Sequence, residues 1–419
     1  MMYNVPINLF LGGKFIMKKL LVLFLASALC VMMAFAVSAK DVYLNDGGLG
    51  DGSSAESPLG NMTAAIEAIA DEGGKVIIVD TYTCADQYVE PAHAGDIVIT
   101  GGKYVFAHGK YNRWYLSGEG STTFENIAFE YAAGSTALFV AQFNKLVMGE
   151  GIAFTTKEYS GYVIGGYQKA DEYATLDEMI TTLGLPTDKN SDITVKSGSY
   201  HLVAGFNRGD DSARTSTNAF TGTSTIVIDG GDFKTVYGGN INCNATSAGT
   251  DITINGGNIT GGVRAAGEEQ VVAQVNGDAT FTINGGDIAT LVFNNVLGNV
   301  VVNANGGNIT MANARVNAEG LTANEGSATL LKIGADAKIS QMIADVFDSY
   351  EGHVYVPNLP VIPSMTEAVA TAEAAPVATT AAAVDGGESA GAPVGLIIGI
   401  VAAVIVVAVV VVLVTKKKK

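Results

Sequence analysis

Cysteine is nearly absent: the 419 residues contain three, and Cys30 lies inside an apolar N-terminal run. Only Cys84 and Cys243 remain, far apart in the chain. That excludes a disulfide framework of the kind that holds small secreted domains, so the core must be held by packing. Spacing alone leaves open whether the two pair outside the cell or stay as buried thiols. Basic residues are also scarce. Seven of the 24 (Lys14, Lys18, Lys19 and Lys416 to Lys419) belong to the two ends, which leaves 17 against 41 acidic residues in between, a net charge of −24. Such a surface repels phosphate backbones and excludes nucleic acid as a partner; it also disfavours polyanionic sugars unless a cation bridges them. The four histidines (His93, His108, His201 and His353) show no metal-ligand spacing. Tryptophan occurs once, as Trp114.

Long apolar runs occur only at the ends. Lys18-Lys19 precede Leu20 to Val37, and Val37 and Ala39 supply the small residues of a signal-peptidase site. The expectation is a leader over residues 1–39, with Lys40 as the first mature residue. Leu11-Gly12-Gly13-Lys14 can be encoded by a purine-rich bacterial ribosome-binding sequence just ahead of Met17. Translation is therefore expected from Met17, giving a signal peptide over 17–39 and a bacterial source. At the other end, residues 394–414 form an unbroken apolar stretch of 21 residues, and lysines 416–419 follow. About 20 residues span a bilayer as a helix, and basic residues stay on the cytoplasmic side. The expectation is a single-pass protein of the cell membrane with its N-terminal ectodomain outside, its C-terminal tail (415–419) inside and the lipid bilayer as a partner. Residues 357–393, rich in Ala, Thr, Glu, Val and Pro, read as a disordered stalk.

Between the ends the chain repeats itself. The segments are Ile193-Thr-Val-Lys-Ser-Gly-Ser-Tyr200, Ile226-Val-Ile-Asp-Gly-Gly-Asp-Phe233, Ile252-Thr-Ile-Asn-Gly-Gly-Asn-Ile259, Phe281-Thr-Ile-Asn-Gly-Gly-Asp-Ile288 and Val302-Asn-Ala-Asn-Gly-Gly-Asn-Ile309. Each reads as two short strands joined at a glycine corner. Ile252 and Ile254 point one way and Thr253 the other, and glycine supplies the backbone freedom that the corner needs. One unit cannot bury its apolar edge, but stacked units can. The period varies while the core pattern stays fixed, which suits a parallel β-helix: each coil adds one strand per face and extra residues bulge at one corner. A propeller would need a more regular and longer period. The ectodomain is thus expected over residues 40–356 as an all-β solenoid. A helical loop is expected at about 168–190 and a far-end helix over 339–349.

Val42-Tyr-Leu-Asn-Asp-Gly-Gly-Leu-Gly-Asp-Gly-Ser-Ser-Ala-Glu-Ser-Pro58, followed by Met62-Thr-Ala-Ala-Ile-Glu-Ala-Ile-Ala and Gly-Gly-Lys-Val-Ile-Ile-Val, resembles the opening of pectate-lyase-like right-handed parallel β-helix domains. The Gly-Gly repeats resemble those of large bacterial surface proteins. The resemblance covers roughly residues 41–340. It implies a right-handed solenoid with a short N-terminal capping helix, in which Ala65, Ile66 and Ile69 would be the buried stripe.

Lyases of that family use acidic residues to hold calcium and a basic residue as catalyst, and the hydrolases use clustered aspartates. Neither pattern is legible. No arginine (113, 208, 214, 264 or 315) is expected in a repeat strand. Asp229, Asp232 and Asp287 fall at the glycine corners, and Asn255, Asn284 and Asn305 share the Asp229 position, so the corner reads as a structural ladder. No cofactor is expected; calcium is the one ion that the loop around Asp46 and Asp51 would suit, though it lacks Asp-x-Asp-x-Asp spacing. The residues that could touch a ligand are aromatic. Tyr104, Phe106, Tyr111, Trp114, Tyr115, Phe124, Phe129 and Tyr131 crowd one stretch, and Tyr159, Tyr162, Tyr167 and Tyr173 follow. Rings of this kind suit sugar faces, protein interfaces and coil cores alike. Tyr111, Trp114 and Tyr115, in a polar context, are the candidate anchors. The expected function is a non-enzymatic adhesion, glycan-binding or envelope-structure module with a glycan or cell-surface partner; the alternative is a polysaccharide lyase or glycoside hydrolase working in a groove of the solenoid.

Overall fold

The computed structural model describes residues 40–109, 111–132, 135–155, 161–170, 172–209, 219–267, 273–313, 321–342 and 347–352. The leader, stalk, membrane helix and lysine tail expected from the sequence lie outside them, as do Tyr159, Arg214, Arg315 and His353. Among the described residues no helix is long and apolar enough to cross a membrane.

The repeat closes as expected, into an all-β solenoid of parallel strands. One side is a twelve-stranded sheet in which each strand pairs with the equivalent strand one coil away, and a second side is a ten-stranded sheet. A third, of four strands, lies in the early coils (Thr81–Cys84, Lys103–Phe106, Ala128–Tyr131 and Ala153–Phe154). The register stacks like on like. Leu146, Ile193, Ile226, Ile252, Phe281, Val302 and Leu331 form one continuous column inside the twelve-stranded sheet, each fully buried. Tyr200, Phe233, Ile259, Ile288, Ile309 and Ile339 form another against the ten-stranded sheet. Each buried side chain of this size contributes about 1.5–3 kcal/mol of transfer free energy.

The corner between the two sheets explains the Gly-Gly signature. Gly257 has φ +92°, and a Cβ there would lie 2.8 Å from the Gly231 carbonyl oxygen of the coil below. The neighbouring Gly256 would meet the Asp229 carbonyl at 2.6 Å. Both torsion and stacking therefore demand glycine. Gly257→Val should lower the urea unfolding midpoint and cost roughly 1–3 kcal/mol or more; an unchanged midpoint would reject the corner. Side chains beside the glycines form a ladder: Asn255 donates to Asp229 (2.7 Å), Asn284 to Asn255 (2.7 Å) and Asn305 to Asn284 (2.8 Å). Asn308 likewise donates to Asp287 at 2.6 Å.

Among the described residues two helices interrupt the strands. Met62–Glu67, capped by Asn61, buries Met62, Ala65 and Ile66 in the main core. Leu176–Leu183 falls inside the expected insertion, opens on Thr175 and stops at the left-handed Gly184. It packs Leu176, Met179 and Ile180 on a separate cluster with Phe143, Tyr167, Phe206, Phe220 and Cys243. The helix expected over 339–349 is corrected. Lys338–Met342 is a strand paired with Asn308–Asn313, and Ser349–Gly352 pairs with the strand Thr329–Ile333. The preceding coil offers an unpaired strand edge; Lys338 N–H takes the Gly307 carbonyl, and ladder pairing overrides a weak helical period.

Candidate functional site

The strand Tyr111–Tyr115 divides the sequence-chosen anchors. It is part of the ten-stranded sheet, so alternate side chains face opposite ways. Trp114 faces inward and has no exposed surface. Its ring centroid lies 4.6 Å from Tyr88, 4.8 Å from Tyr104 and 4.9 Å from Phe124. As a ligand anchor Trp114 is therefore corrected: it is core, because the pleat sends it to the side that the solenoid encloses. Tyr111 and Tyr115 face outward, partly exposed, beside a second apolar cluster. Tyr104, Phe106, Phe124, Phe129 and Tyr131 are all core.

The Trp114 indole donates to a carboxylate that no motif or spacing in the chain singles out. Glu90, buried, accepts from Trp114 Nε1 at 2.6 Å and from Thr122 Oγ1 at 3.0 Å, and His93 Nε2 lies 3.3 Å from the same carboxylate. His93 Nδ1 is 2.8 Å from the Gly95 carbonyl. Burial alone would lower the His93 pKa. The hydrogen bonds to Glu90 and Gly95 and the Glu90 charge outweigh it and hold the imidazole above its ordinary value. This is a buried hydrogen-bonded clasp inside the early coils.

The outer side of the ten-stranded sheet carries a second apolar cluster, separate from the main core. Leu138, Val140, Ile164, Leu202, Ala204 and Tyr237 pack there as a buried apolar cluster, with Tyr111, Tyr115 and Tyr162 against it. The sheet is thus apolar on both sides, which explains runs such as Thr136–Val140 that read as continuously hydrophobic. Cations edge this face. Arg113 lies 5.6 Å from the Tyr111 ring centroid and Arg208 5.6 Å from that of Tyr162. His201 stacks on Tyr162 at 5.0 Å and 17°. The expectation that no arginine sits in a repeat strand is corrected, because Arg264 ends the seven-residue strand Asn258–Arg264 and pairs in register with Tyr237. The strand runs beyond the eight-residue repeat segment, which is why the repeat alone did not reach it.

The remaining candidates resolve into structural roles. Asp46 accepts from the backbone N–H and hydroxyl of Thr83, and Asp51 from Ser53 and Ser57. Those bonds, chiefly the one from the Ser53 hydroxyl, hold the Asp51 carboxyl below its ordinary range. Among the described residues, no three His, Cys, Asp or Glu side chains are grouped as a metal site. Cys84 and Cys243 are both free thiols; Cys84 packs against the main core and Cys243 belongs to the cluster under the inserted helix. Burial pushes the Cys243 thiol up to about 12.

No family model, curated protein or solved structure matches this chain.

Proposed function

We propose that this chain is a membrane-anchored extracellular surface protein, a right-handed parallel β-helix of the pectate-lyase-like type whose early helix caps the first coil. A leader precedes the ectodomain, and a stalk, membrane helix and lysine tail follow it. The ectodomain recognises a glycan or another cell-surface partner and does no chemistry on it. The observation that carries this reading is the outer face of the ten-stranded sheet. It sets the rings of Tyr111, Tyr115 and Tyr162 beside Arg113, Arg208 and His201, on a chain whose charge is otherwise strongly acidic. Aromatic rings bind sugar faces and guanidinium groups bind polar substituents. The corner carboxylates Asp229 and Asp287 are tied into amide ladders.

A glycan array probed with the purified protein tests the reading. Retention of particular glycans, weakened about tenfold (about 1.4 kcal/mol) by Tyr162→Ala, is the expected result. Release of reducing or unsaturated sugar ends would overturn the non-enzymatic reading, and retention unaffected by Tyr162→Ala would move the site to another face.

A further inference from the structure

On the ten-stranded sheet the pairing slips by one residue at His201. Gly161 pairs with Tyr200, but Tyr162 pairs with Leu202, so His201 is the extra residue of a bulge. Bulges re-aim side chains, and here the imidazole is laid flat on the Tyr162 ring. The next coil places Lys234 directly beside it, since Tyr200 pairs with Phe233 and Leu202 with Thr235. One coil further on, Thr260 and Gly261 stand opposite Lys234; Gly261 is exposed and adds no side chain there, and a Cβ on it would be 2.5 Å from the Lys234 carbonyl. Arg208, in the turn that follows the His201 strand, completes the group, with its guanidinium carbon 5.6 Å from the Tyr162 centroid.

We propose that His201, Arg208 and Lys234, gathered around Tyr162, form a subsite for a tetrahedral oxyanion: the sulfate or phosphate ester of a substituted glycan. The inference rests on reading this face as the recognition surface. Three cationic or protonatable groups converge there, and among the described residues no carboxylate pairs with any of them. Arg208 gives one N–H to Gln168 Oε1 (3.2 Å), while its Nε is buried without a hydrogen-bond partner. A guanidinium N–H with no acceptor is costly, and the single bond to Gln168 leaves Arg208 with donor capacity to spare. Three donors on three strands or turns suit the several oxygens of a sulfate or phosphate better than the two of a carboxylate, and a guanidinium fork beside an ammonium is well matched to such groups.

The same geometry makes capture sensitive to pH. Burial first, then the charges of Lys234 and Arg208, push the His201 imidazole below its ordinary value. A bound oxyanion opposes the electrostatic part, so it binds the protonated ring more tightly, and affinity rises as pH falls through the His201 titration.

The chain has four histidines, so ring-labelled histidine NMR of the full protein resolves them, with His201→Asn assigning one signal. Sulfate is the first probe because it does not titrate in this range; methyl phosphate and acetate at matched ionic strength are the others. Sulfate should move the His201 signal saturably and raise its pKa by about one unit, which corresponds to about tenfold tighter binding to the charged ring. Lys234→Gln, at an exposed position, should weaken sulfate about tenfold without changing the unfolding midpoint. Methyl phosphate should reproduce the shift if phosphate esters are taken, and sulfate alone should produce it if only sulfate esters are. No saturable shift, a shift shared by all four rings, or an equal response to acetate would overturn the subsite. Glycans retained on the array with no sulfate effect would remove the subsite and leave the recognition reading; a sulfate effect without retained glycans would keep the subsite and remove glycan recognition.

Discussion

Trp114→Ala should cost the fold about 3–5 kcal/mol, the range for truncating a large buried aromatic side chain. The ring sits among Tyr88, Tyr104 and Phe124 with no exposed surface. Its loss opens a cavity that rigid stacked coils cannot close. It also strands Glu90 Oε1, the acceptor of the indole N–H at 2.6 Å, inside the solenoid. Leaving that group unpaired adds about 1–3 kcal/mol. Trp114→Phe separates the two contributions, since it keeps most of the packing and removes only the N–H; it should cost the smaller amount. The readout is urea unfolding. Because this is the only tryptophan, its fluorescence gives a second measurement: emission should be blue-shifted and insensitive to iodide in the folded state. An unchanged midpoint together with iodide quenching would return Trp114 to the surface as a ligand anchor.

Ile254→Asp should destabilise by roughly 4 kcal/mol or more, while Thr253→Asp, one residue away, should stay within about 1 kcal/mol. Ile254 has no exposed surface and stacks in register between Ile228 and Ile283. A carboxylate there has no partner and either stays charged at great cost or is forced neutral. Thr253 lies on the solvated face between Val227 and Thr282, where an added acid meets water. Asp251 on the same face moderates the contrast, because its partial burial already pushes its carboxyl up and a second acid two residues away adds repulsion. Circular dichroism in urea checks both variants, and equal losses would reject the register.

Alternation and the glycine corners were enough to read the solenoid from the sequence. Ile252, Ile254, Phe281 and Ile283 announce an inward column by period alone, and Asn-Gly-Gly at a constant offset announces stacked corners, because both signals are local and every coil repeats them. The structural character of Asp229 was legible for the same reason, since asparagine replaces it at each later corner. The inserted helix over 176–183 was legible from the interruption.

What the sequence could not decide was which way an individual aromatic faced, and which side chains met across coils. Arg113, Trp114 and Tyr115 are consecutive, yet the pleat sends Trp114 into the core and its neighbours outward, and one residue of slip would have reversed them. Glu90 and Thr122 are 32 residues apart; Tyr162, His201 and Lys234 sit on three successive coils. Their association is set by coil length and by a single bulge, quantities that depend on how each loop closes. Local composition therefore determined that the chain stacks, whereas the register between coils decided which residues face a ligand together.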